Sequence, residues 1–325
     1  MDAAELELVR AATGQLLGRG SPAGLPAALL ESGWVELLSA EPAAAAAILA
    51  EEQGRTLSAG PGLELVMLHG AGLAVDATTA VVLPTVGRPT VPPGRRVGGR
   101  LVVDGLGLAG HERATTFVVA TAEGLFAVPA AALHAVARRG SDPDLGLARL
   151  QGDLAGTGAV AVGSADAGAS GMNAGRRFLA GELTGLAGRM LDDTVAYVLD
   201  RHQFGHPVGS FQAVKHRLAD VRVAIAAARA GLASAFDDNT AASATAAKCL
   251  AGRAQRLAAS HCHQVHGGIA FTVEHGFHRL IRRGQLLDGL LGGTDELTAE
   301  LGRQLRHAAR VPRTPRLREA GSATW

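Results

Sequence analysis

The sequence is poor in aromatic residues and in cysteine. Its 325 residues contain only two tryptophans, one tyrosine and eight phenylalanines, so Ala, Leu and Val must build most of the core. Such small aliphatic side chains favour closely packed helices. The two cysteines, Cys249 and Cys262, lie in helix-like sequence and do not have the spacing of a disulfide framework. This favours a reducing compartment, and we expect no structural disulfide.

The sequence also lacks a long apolar run and an excess of either charge. Its longest alanine-rich run, Ala43 to Ala50, is far shorter than the roughly 20 residues that span a bilayer. The first residues, "MDAAELELVRAATGQLL", mix acids into the apolar pattern and do not resemble a signal peptide. Lys and Arg number 31 against 30 Asp and Glu, which disfavours binding to nucleic acid or to an acidic membrane. We therefore expect a soluble cytoplasmic protein.

Common catalytic motifs are missing as well. The sequence contains no G-x-S-x-G, G-x-x-x-x-G-K or H-E-x-x-H, so hydrolase and nucleotide-kinase chemistry have no support. "GLGLAG", Gly105 to Gly110, matches the dinucleotide fingerprint, but "HERATTFVVA" after it predicts a turn into another strand instead of a helix. "HCHQVH", His261 to His266, lacks the second half of a metal-ligand set. We predict a glycine-rich turn at the first and a polar helix end, without a metal, at the second.

Three regions follow one another along the chain, and they predict a mainly α fold with a central β-domain. Helical periodicity predicts an N-terminal helical domain over residues 1–75, and β-branched runs predict a middle, antiparallel, β-barrel-like domain over 76–168. A C-terminal four-helix bundle is predicted over 169–310, followed by a flexible tail over 311–325. Its helices are expected at 173–200, 210–236, 240–266 and 272–289, with a last one at 295–310.

Two stretches of the bundle carry candidate binding residues. In "RHQFGHPVGSFQAVKHRLADV", which starts at Arg201, the arginine can grip a phosphate with two hydrogen bonds and Phe204 can pack against an aromatic ligand. In "QVHGGIAFTVEHGFHRLIRR", which starts at Gln264, a Gly-Gly pair permits close backbone approach. Taken singly, each stretch is better explained as an ordinary joint between helices. Three arginines of the second stretch are predicted to form a solvated or salt-bridged helix face: Arg279, Arg282 and Arg283.

Taken together, the two stretches resemble the acyl-CoA dehydrogenase family, whose members carry R-x-x-F-G...F-Q and Q-x-H/F-G-G in a C-terminal bundle. "LLESGWVELL" and "AILAEEQGRTL" look like that family's N-terminal helical domain. The resemblance implies an FAD enzyme that converts an acyl-CoA thioester to a trans-2-enoyl-CoA. In this family a glutamate removes the α-proton while a hydride passes from the β-carbon to the flavin.

The positions at which the family carries that glutamate hold no acid in this chain. Matching "GGTDEL" to the family's E-G-T-x-E places the glutamate at Gly292, and counting from Gly267 places it at Leu291. The position that some members use instead, on the preceding helix, falls at about Gly175. "LPTVGRPTVPP" stands where members carry T-E-P-x-A-G-S-D beside the flavin. We therefore expect no catalytic residue in this chain.

The residues that in this family reach a neighbouring chain's FAD are present. The chain thus resembles the non-catalytic subunit of actinobacterial α2β2 heterotetrameric acyl-CoA dehydrogenases, several of which act on steroid side chains. The resemblance implies a catalytic partner subunit that supplies the glutamate and binds most of the acyl-CoA. The cofactor-binding residues that it implies are Arg201, Gln203, Phe204, Phe211, Gln212, Gln264, His266, Gly267 and Gly268.

Two other hypotheses remain open at this point. The chain is an autonomous dehydrogenase if its base has moved to another acid, for which Glu182, Asp288 and Glu296 are the nearest candidates, since a base needs geometry and a suitable pKa more than a fixed position. It is a flavin-free scaffold subunit if the retained residues serve packing alone.

Overall fold

The predicted order of helical, β and helical regions is confirmed. A computed structural model describes residues 1–21, 24–138, 140–155 and 158–308. The predicted flexible tail, residues 311–325, lies outside the described residues. Within the described ranges, the helices are all too short or too polar to cross a membrane. Cys249 and Cys262 are both buried and free.

Among the described residues, five helices form the N-terminal region. The first begins with a capping box, in which the Asp2 carboxylate accepts from the Glu5 N–H and the Glu5 carboxylate accepts from the Asp2 N–H. Leu57, just after the fourth helix, adopts a left-handed conformation and ends it. The helices are α1 (Ala3–Arg19), α2 (Leu25–Glu31), α3 (Trp34–Ala40), α4 (Pro42–Thr56) and α5 (Gly62–Gly70).

Where the structure describes it, the β-domain has two four-stranded sheets, with the strand orders β1-β4-β5-β8 and β2-β3-β7-β6. The predicted hairpin through Glu123 is present between β4 and β5, and the Gly105–Gly110 segment leads through a short turn into β4 as predicted. The antiparallel prediction is wrong for β1, which pairs with β4 in parallel because the chain crosses to the other sheet between them. The strands are β1 (Thr79–Val82), β2 (Gly94–Val97), β3 (Arg100–Gly107), β4 (Thr116–Ala120), β5 (Gly124–Pro129), β6 (His134–Ala137), β7 (Ala148–Leu154) and β8 (Val160–Ser164).

The C-terminal helices differ from the predicted ones mainly at their starts. The first begins at Ala165, where the Ser164 hydroxyl accepts from the Ala167 N–H, and not near residue 173. The fourth begins at Phe277 and not at residue 272, because Gly276 adopts a left-handed conformation just before it. The elements are α6 (Ala165–Asp200), a short pair β9 (His202–Gln203) and β10 (His206–Pro207), α7 (Gln212–Asp238), α8 (Ala241–His266), α9 (Phe277–Gly289) and α10 (Thr294–Ala308).

Helices α4 and α6 cross with their backbones in contact. A Cβ atom added at Gly54 would lie 2.0 Å from the Glu182 carbonyl oxygen, and one at Gly185 would lie 2.1 Å from the Glu51 carbonyl oxygen. Only glycine permits so close an approach. The crossing fixes the N-terminal helices on the bundle, and a continuous core of small aliphatic side chains runs through both.

Candidate functional site

The two sequence stretches meet at one end of the bundle. The Arg201 N–H donates to the Tyr197 carbonyl oxygen (2.9 Å), and the Val208 N–H donates to the Arg201 carbonyl oxygen (2.7 Å), which closes the turn after α6. The Tyr197 ring lies 4.5 Å, centroid to centroid, from the ring of His266, the last residue of α8. The end of α6 and the end of α8 therefore form one surface.

His266 lies beneath this surface. It is 5% exposed, and its Nε2 is 3.0 Å from the Thr194 hydroxyl oxygen. That hydroxyl donates to the Met190 carbonyl oxygen, so Nε2 carries the proton, and Nδ1 has no hydrogen-bond partner among the described residues. Burial, followed by the nearby His275 and His263, lowers the pKa of His266 to about 4. The imidazole is thus neutral near neutral pH and supports the surface from below.

The aromatic side chains of the surface are unusually open. Phe204 is 91% exposed and adopts a left-handed conformation with φ +54°, which is uncommon for a bulky residue. Its ring lies 6.3 Å from that of Phe211, and Phe271 and Val273 are also exposed. In a chain so poor in aromatics, such a patch is typical of a contact surface. The other exposed members of the predicted set are Arg201, Gln203, Gln212, Gln264 and Gly268.

The glycine pair presents open backbone. A Cβ atom added at Gly267 or Gly268 would meet nothing within 4 Å. Gly267 has φ +67°, in the left-handed region. The two stretches thus bring a guanidinium, three glutamine amides and a sterically open glycine backbone to this end of the bundle, and these groups suit the phosphates and adenosine of a dinucleotide. The predicted FAD-contacting residues fit such a cofactor in their chemistry, with His266 as a support.

Two of the positions predicted for the missing glutamate face each other. A Cβ atom added at Gly175 would lie 2.7 Å from Leu291 Cδ1 and 2.8 Å from Met67 Cγ. Leu291 is 2% exposed, and Met67 is also buried. We call this contact of Gly175, Leu291 and Met67 the apolar plug. The two alternative positions thus meet in one small volume, which aliphatic atoms fill.

One buried and one partly buried cation hold the segment that carries the plug. Lys248 Nζ donates to the carbonyl oxygens of Asp288 (2.8 Å) and Gly292 (2.5 Å), and Arg176 Nε donates to that of Leu291 (3.2 Å). Burial lowers the pKa of Lys248 to about 8, although Asp288 opposes this change. Leu291 itself has φ +54°. These bonds hold a left-handed turn that keeps the Leu291 side chain inside the protein.

An apolar cavity of about 280 Å³ lies beside the plug, between α5, the β-domain and the start of α6. Met67 and Gly171 line its inner end. The proline-rich segment 84–93 forms one wall through Pro84, Pro89 and Pro93. Among the described residues, no acidic side chain lines this cavity.

The three candidate relocated bases lie elsewhere. Glu182 is 1% exposed, and burial raises its pKa to about 7, with Arg283 and a hydrogen bond from Gln53 opposing this change. The Asp288 carboxylate accepts from the Thr294 hydroxyl. Glu296 is exposed at the start of α10. None of the three lines the apolar cavity.

Several buried charged residues escaped the sequence reasoning. Arg283 was predicted to lie on a solvated or salt-bridged face, but it is 1% exposed, pairs with Asp142 and donates to the carbonyl oxygens of Leu57 and Ser58. Glu64, on α5, is buried, which raises its pKa to about 7. The signal in the sequence that could have predicted their burial is that these charged residues occupy core-facing positions of a helical pattern. Across the described ranges, groups of three or more His, Cys, Asp or Glu suited to a metal are absent.

Comparison with protein families gives a match over the C-terminal region. The family model described as acyl-CoA dehydrogenase, C-terminal domain, matches residues 165–304. The acyl-CoA dehydrogenase IpdE2 of Mycobacterium tuberculosis is 38% identical over 238 residues, which cover 73% of this chain and 70% of the relative. IpdE2 of Mycolicibacterium smegmatis is 45% identical over 114 residues, or 35% of this chain and 37% of the relative.

Solved structures show the same fold over nearly the whole chain. The Tcur3481-Tcur3483 steroid ACAD G363A variant has a TM-score of 0.80 at 24% identity, covering 94% of this chain and 99% of that chain. The ChsE4-ChsE5 complex from Mycobacterium tuberculosis has a TM-score of 0.74 at 20% identity, covering 96% and 99%. The similarity therefore extends across the helical and β regions alike.

Proposed function

The chain belongs to the acyl-CoA dehydrogenase family, and from this premise we propose that it is the non-catalytic subunit of a two-chain acyl-CoA dehydrogenase. It carries no base of its own, and it contributes part of the FAD site to a catalytic partner. The reaction of the complex is α,β-dehydrogenation of an acyl-CoA thioester to a trans-2-enoyl-CoA. Bound FAD supplies the hydride acceptor.

The apolar plug is the observation that carries this proposal. A general base must lie within hydrogen-bond reach of the proton that it removes. At the point where Gly175 and Leu291 meet, the side-chain atoms belong to Leu291 and Met67, and neither accepts a proton. The neighbouring cavity has an apolar lining without a carboxylate among the described residues. This arrangement favours a base supplied by another chain.

The exposed surface at the end of the bundle supports the second part of the proposal. Arg201 is assigned to the FAD pyrophosphate, and Gln264 with the Gly267 and Gly268 backbone to the adenosine side. Phe204, exposed and in a left-handed conformation, would be covered by the partner and its cofactor. His266 positions this surface through its bond to Thr194 and its contact with Tyr197, and does not touch the cofactor.

The alternatives find less support. A relocated base would have to lie where an acyl chain can bind, and Glu182, Asp288 and Glu296 all lie outside the lining of the apolar cavity. A flavin-free scaffold leaves unexplained why polar groups and open glycine backbone suited to a dinucleotide lie together on an exposed surface.

The substrate and the assembly are inferred from relatives. One structural neighbour is described as a steroid ACAD and another as a two-protein complex. We infer an α2β2 heterotetramer that acts on acyl-CoA thioesters of steroid or fatty-acid breakdown, bound mainly by the partner. The two buried, free thiols favour a cytoplasmic location.

Co-expression with a candidate catalytic subunit tests the proposal. The expected result is a mixed oligomer with a flavin absorption spectrum that acyl-CoA bleaches, and no flavin on this chain alone. A flavin-containing, active homo-oligomer of this chain would contradict the proposal. So would a stable mixed complex that binds no flavin, because that result supports the scaffold.

A matched pair of variants tests the cofactor assignment within the complex. Replacing Arg201 with Met removes a charged hydrogen-bond donor from an exposed position, so FAD affinity should fall at least about tenfold while assembly persists. Arg303→Met, an exposed arginine on α10, serves as the control and should leave FAD affinity unchanged. Flavin fluorescence titration measures both. Equal affinities of the two variants would refute the role of Arg201.

A further inference from the structure

A second cavity, of about 520 Å³, opens on a different face of α5 and α6 from the apolar cavity. Its α6 residues include Ser170, Asn173 and Arg177, which share one helical stripe, whereas Gly168 and Met172 face the apolar cavity. The two cavities are therefore separate. The family relationship and the proposed FAD surface both leave this second cavity without a function.

Arg177 is the unusual group in this cavity. Its Nε and Nη1 atoms are buried and have no hydrogen-bond partner among the described residues, and within the same ranges it forms no ion pair. Burial alone lowers its pKa, with no acidic group opposing this change. Its guanidinium carbon lies 5.4 Å from the centroid of the Phe236 ring, which is a favourable cation–π contact.

Comparable arginines in this chain are satisfied. Arg176, its neighbour in sequence, donates to the Leu291 carbonyl oxygen and to the Thr245 hydroxyl. Arg283 pairs with Asp142 and donates to backbone carbonyls. Buried guanidinium nitrogens without acceptors are costly, because Nε and Nη1 have lost their hydration and have gained only the neighbouring Phe236 ring in exchange. A missing acceptor at Arg177 is the simplest physical account.

The surroundings of Arg177 suit an oxyanion. His69, at the end of α5, and the Ser170, Asn173 and Asn239 side chains can all donate hydrogen bonds, and no carboxylate is among the described lining residues. Asn239, which adopts a left-handed conformation at the end of α7, lines the cavity. The remaining wall is apolar and is formed by Leu38, Pro42, Ala43, Ala46, Val66 and Phe236.

We propose that this cavity binds a small amphiphilic oxyanion, a carboxylate or a phosphate monoester on an apolar body. The planar guanidinium of Arg177 can donate two parallel hydrogen bonds to either head group. The apolar body lies along the wall formed by α3 and α4. This site shares no residue with the apolar plug or with the set assigned to FAD.

Calorimetric titration of the purified chain, free and in its complex, tests the site with three probes of equal chain length. Hexanoate and hexyl phosphate should bind, the tighter of the two identifying the preferred head group, while neutral hexanol should bind at least about tenfold more weakly. Arg177→Met should weaken both anions at least about tenfold, because hydrogen bonds to charged groups are the stronger kind. Arg189→Met, on the exposed face of the same helix, is the control and should change neither.

Three results would overturn the inference. Equal affinities for hexanol and hexanoate would show that the cavity recognises the apolar chain and not the anionic head group. Unchanged anion affinity in Arg177→Met would show that the Arg177 guanidinium does not bind the anion. Binding to the free chain but not to the complex would mean that the partner subunit fills the cavity. If the Met variant fails to fold, Arg177→Lys is used instead, since it keeps the positive charge but loses the planar pair of donors. Hexanoate should then bind more weakly, and an unchanged affinity would again refute the site.

Discussion

Glu182→Gln should stabilise the protein in a pH-dependent way. Glu182 lies inside the crossing of α4 and α6, fully buried, with one carboxylate oxygen lacking any partner among the described residues. Its pKa is about 7 in the folded chain, against 4.5 for the unfolded group, because burial disfavours the charged form. Glutamine keeps the shape and the hydrogen-bonding capacity but never ionises.

The size of the effect follows from the difference between the folded and unfolded pKa values. A raised carboxyl pKa contributes stability that is fully present below the unfolded value, near 4.5, and is lost as pH rises through the folded value, near 7. A tenfold change in a proton-binding constant corresponds to about 1.4 kcal/mol, so the native protein loses about 3 kcal/mol from this group between about pH 4 and about pH 8.5. Over the same pH range, the free energy of unfolding of Glu182→Gln, relative to that of the native protein, should rise by about this amount.

Urea denaturation of the native and variant chains at several pH values measures the difference. The Glu64→Gln variant should show a similar pH-dependent gain, because burial also raises the Glu64 pKa to about 7, while Arg113 opposes this change. Glu36→Gln, at an exposed position on α3, is the control and should change little. A free-energy difference for Glu182→Gln that stays flat over this pH range would refute the reasoning. Loss of dehydrogenase activity in an assembled, folded Glu182→Gln complex would instead revive the relocated base.

Two further outcomes are expected from packing. Gly185→Ala should lower the free energy of unfolding by about 3 kcal/mol or more, because the new methyl group would meet the Glu51 carbonyl oxygen. Gly188→Ala is the control: its new methyl group would meet only the flexible Arg55 side chain, so it should be neutral or stabilising by up to about 1 kcal/mol. Equal effects of these two variants in thermal unfolding would contradict the backbone contact. Leu291→Ala should cost about 2–5 kcal/mol by opening the apolar plug, and a cost below about 1 kcal/mol in urea denaturation would show that the surroundings are not packed against it.

The sequence predicted the order of the regions because apolar periodicity is local. It missed the early start of α6, since "SADAGASGM" is rich in small residues and reads as a linker until packing decides it. It also missed the parallel pairing of β1 with β4, whose partners lie far apart in the chain. Such pairing depends on contacts that no local pattern records.

Motif spacing predicted which parts of the chain form the candidate site, but not how deep each residue lies. His266 stands in the same motif as the exposed Gly268, yet it is buried beneath the surface. Arg176 and Arg177 are identical neighbours, and only one has acceptors among the described residues. A helix turns by about 100° per residue, so adjacent side chains enter different surroundings that the sequence alone does not specify.

Helix α6 places a constraint on how this chain can change in length. Its 36 residues form one continuous rod of about 54 Å from Ser164 to the turn at Arg201, passing the cavity walls, Gly175, Glu182 and Gly185 on the way. Inserting or deleting a single residue anywhere along it would rotate everything beyond that point by about 100°. A substitution in α6 can have a local effect. An insertion or a deletion would instead change the orientation of the cavity walls at the start of α6 relative to the Arg201 turn at its end.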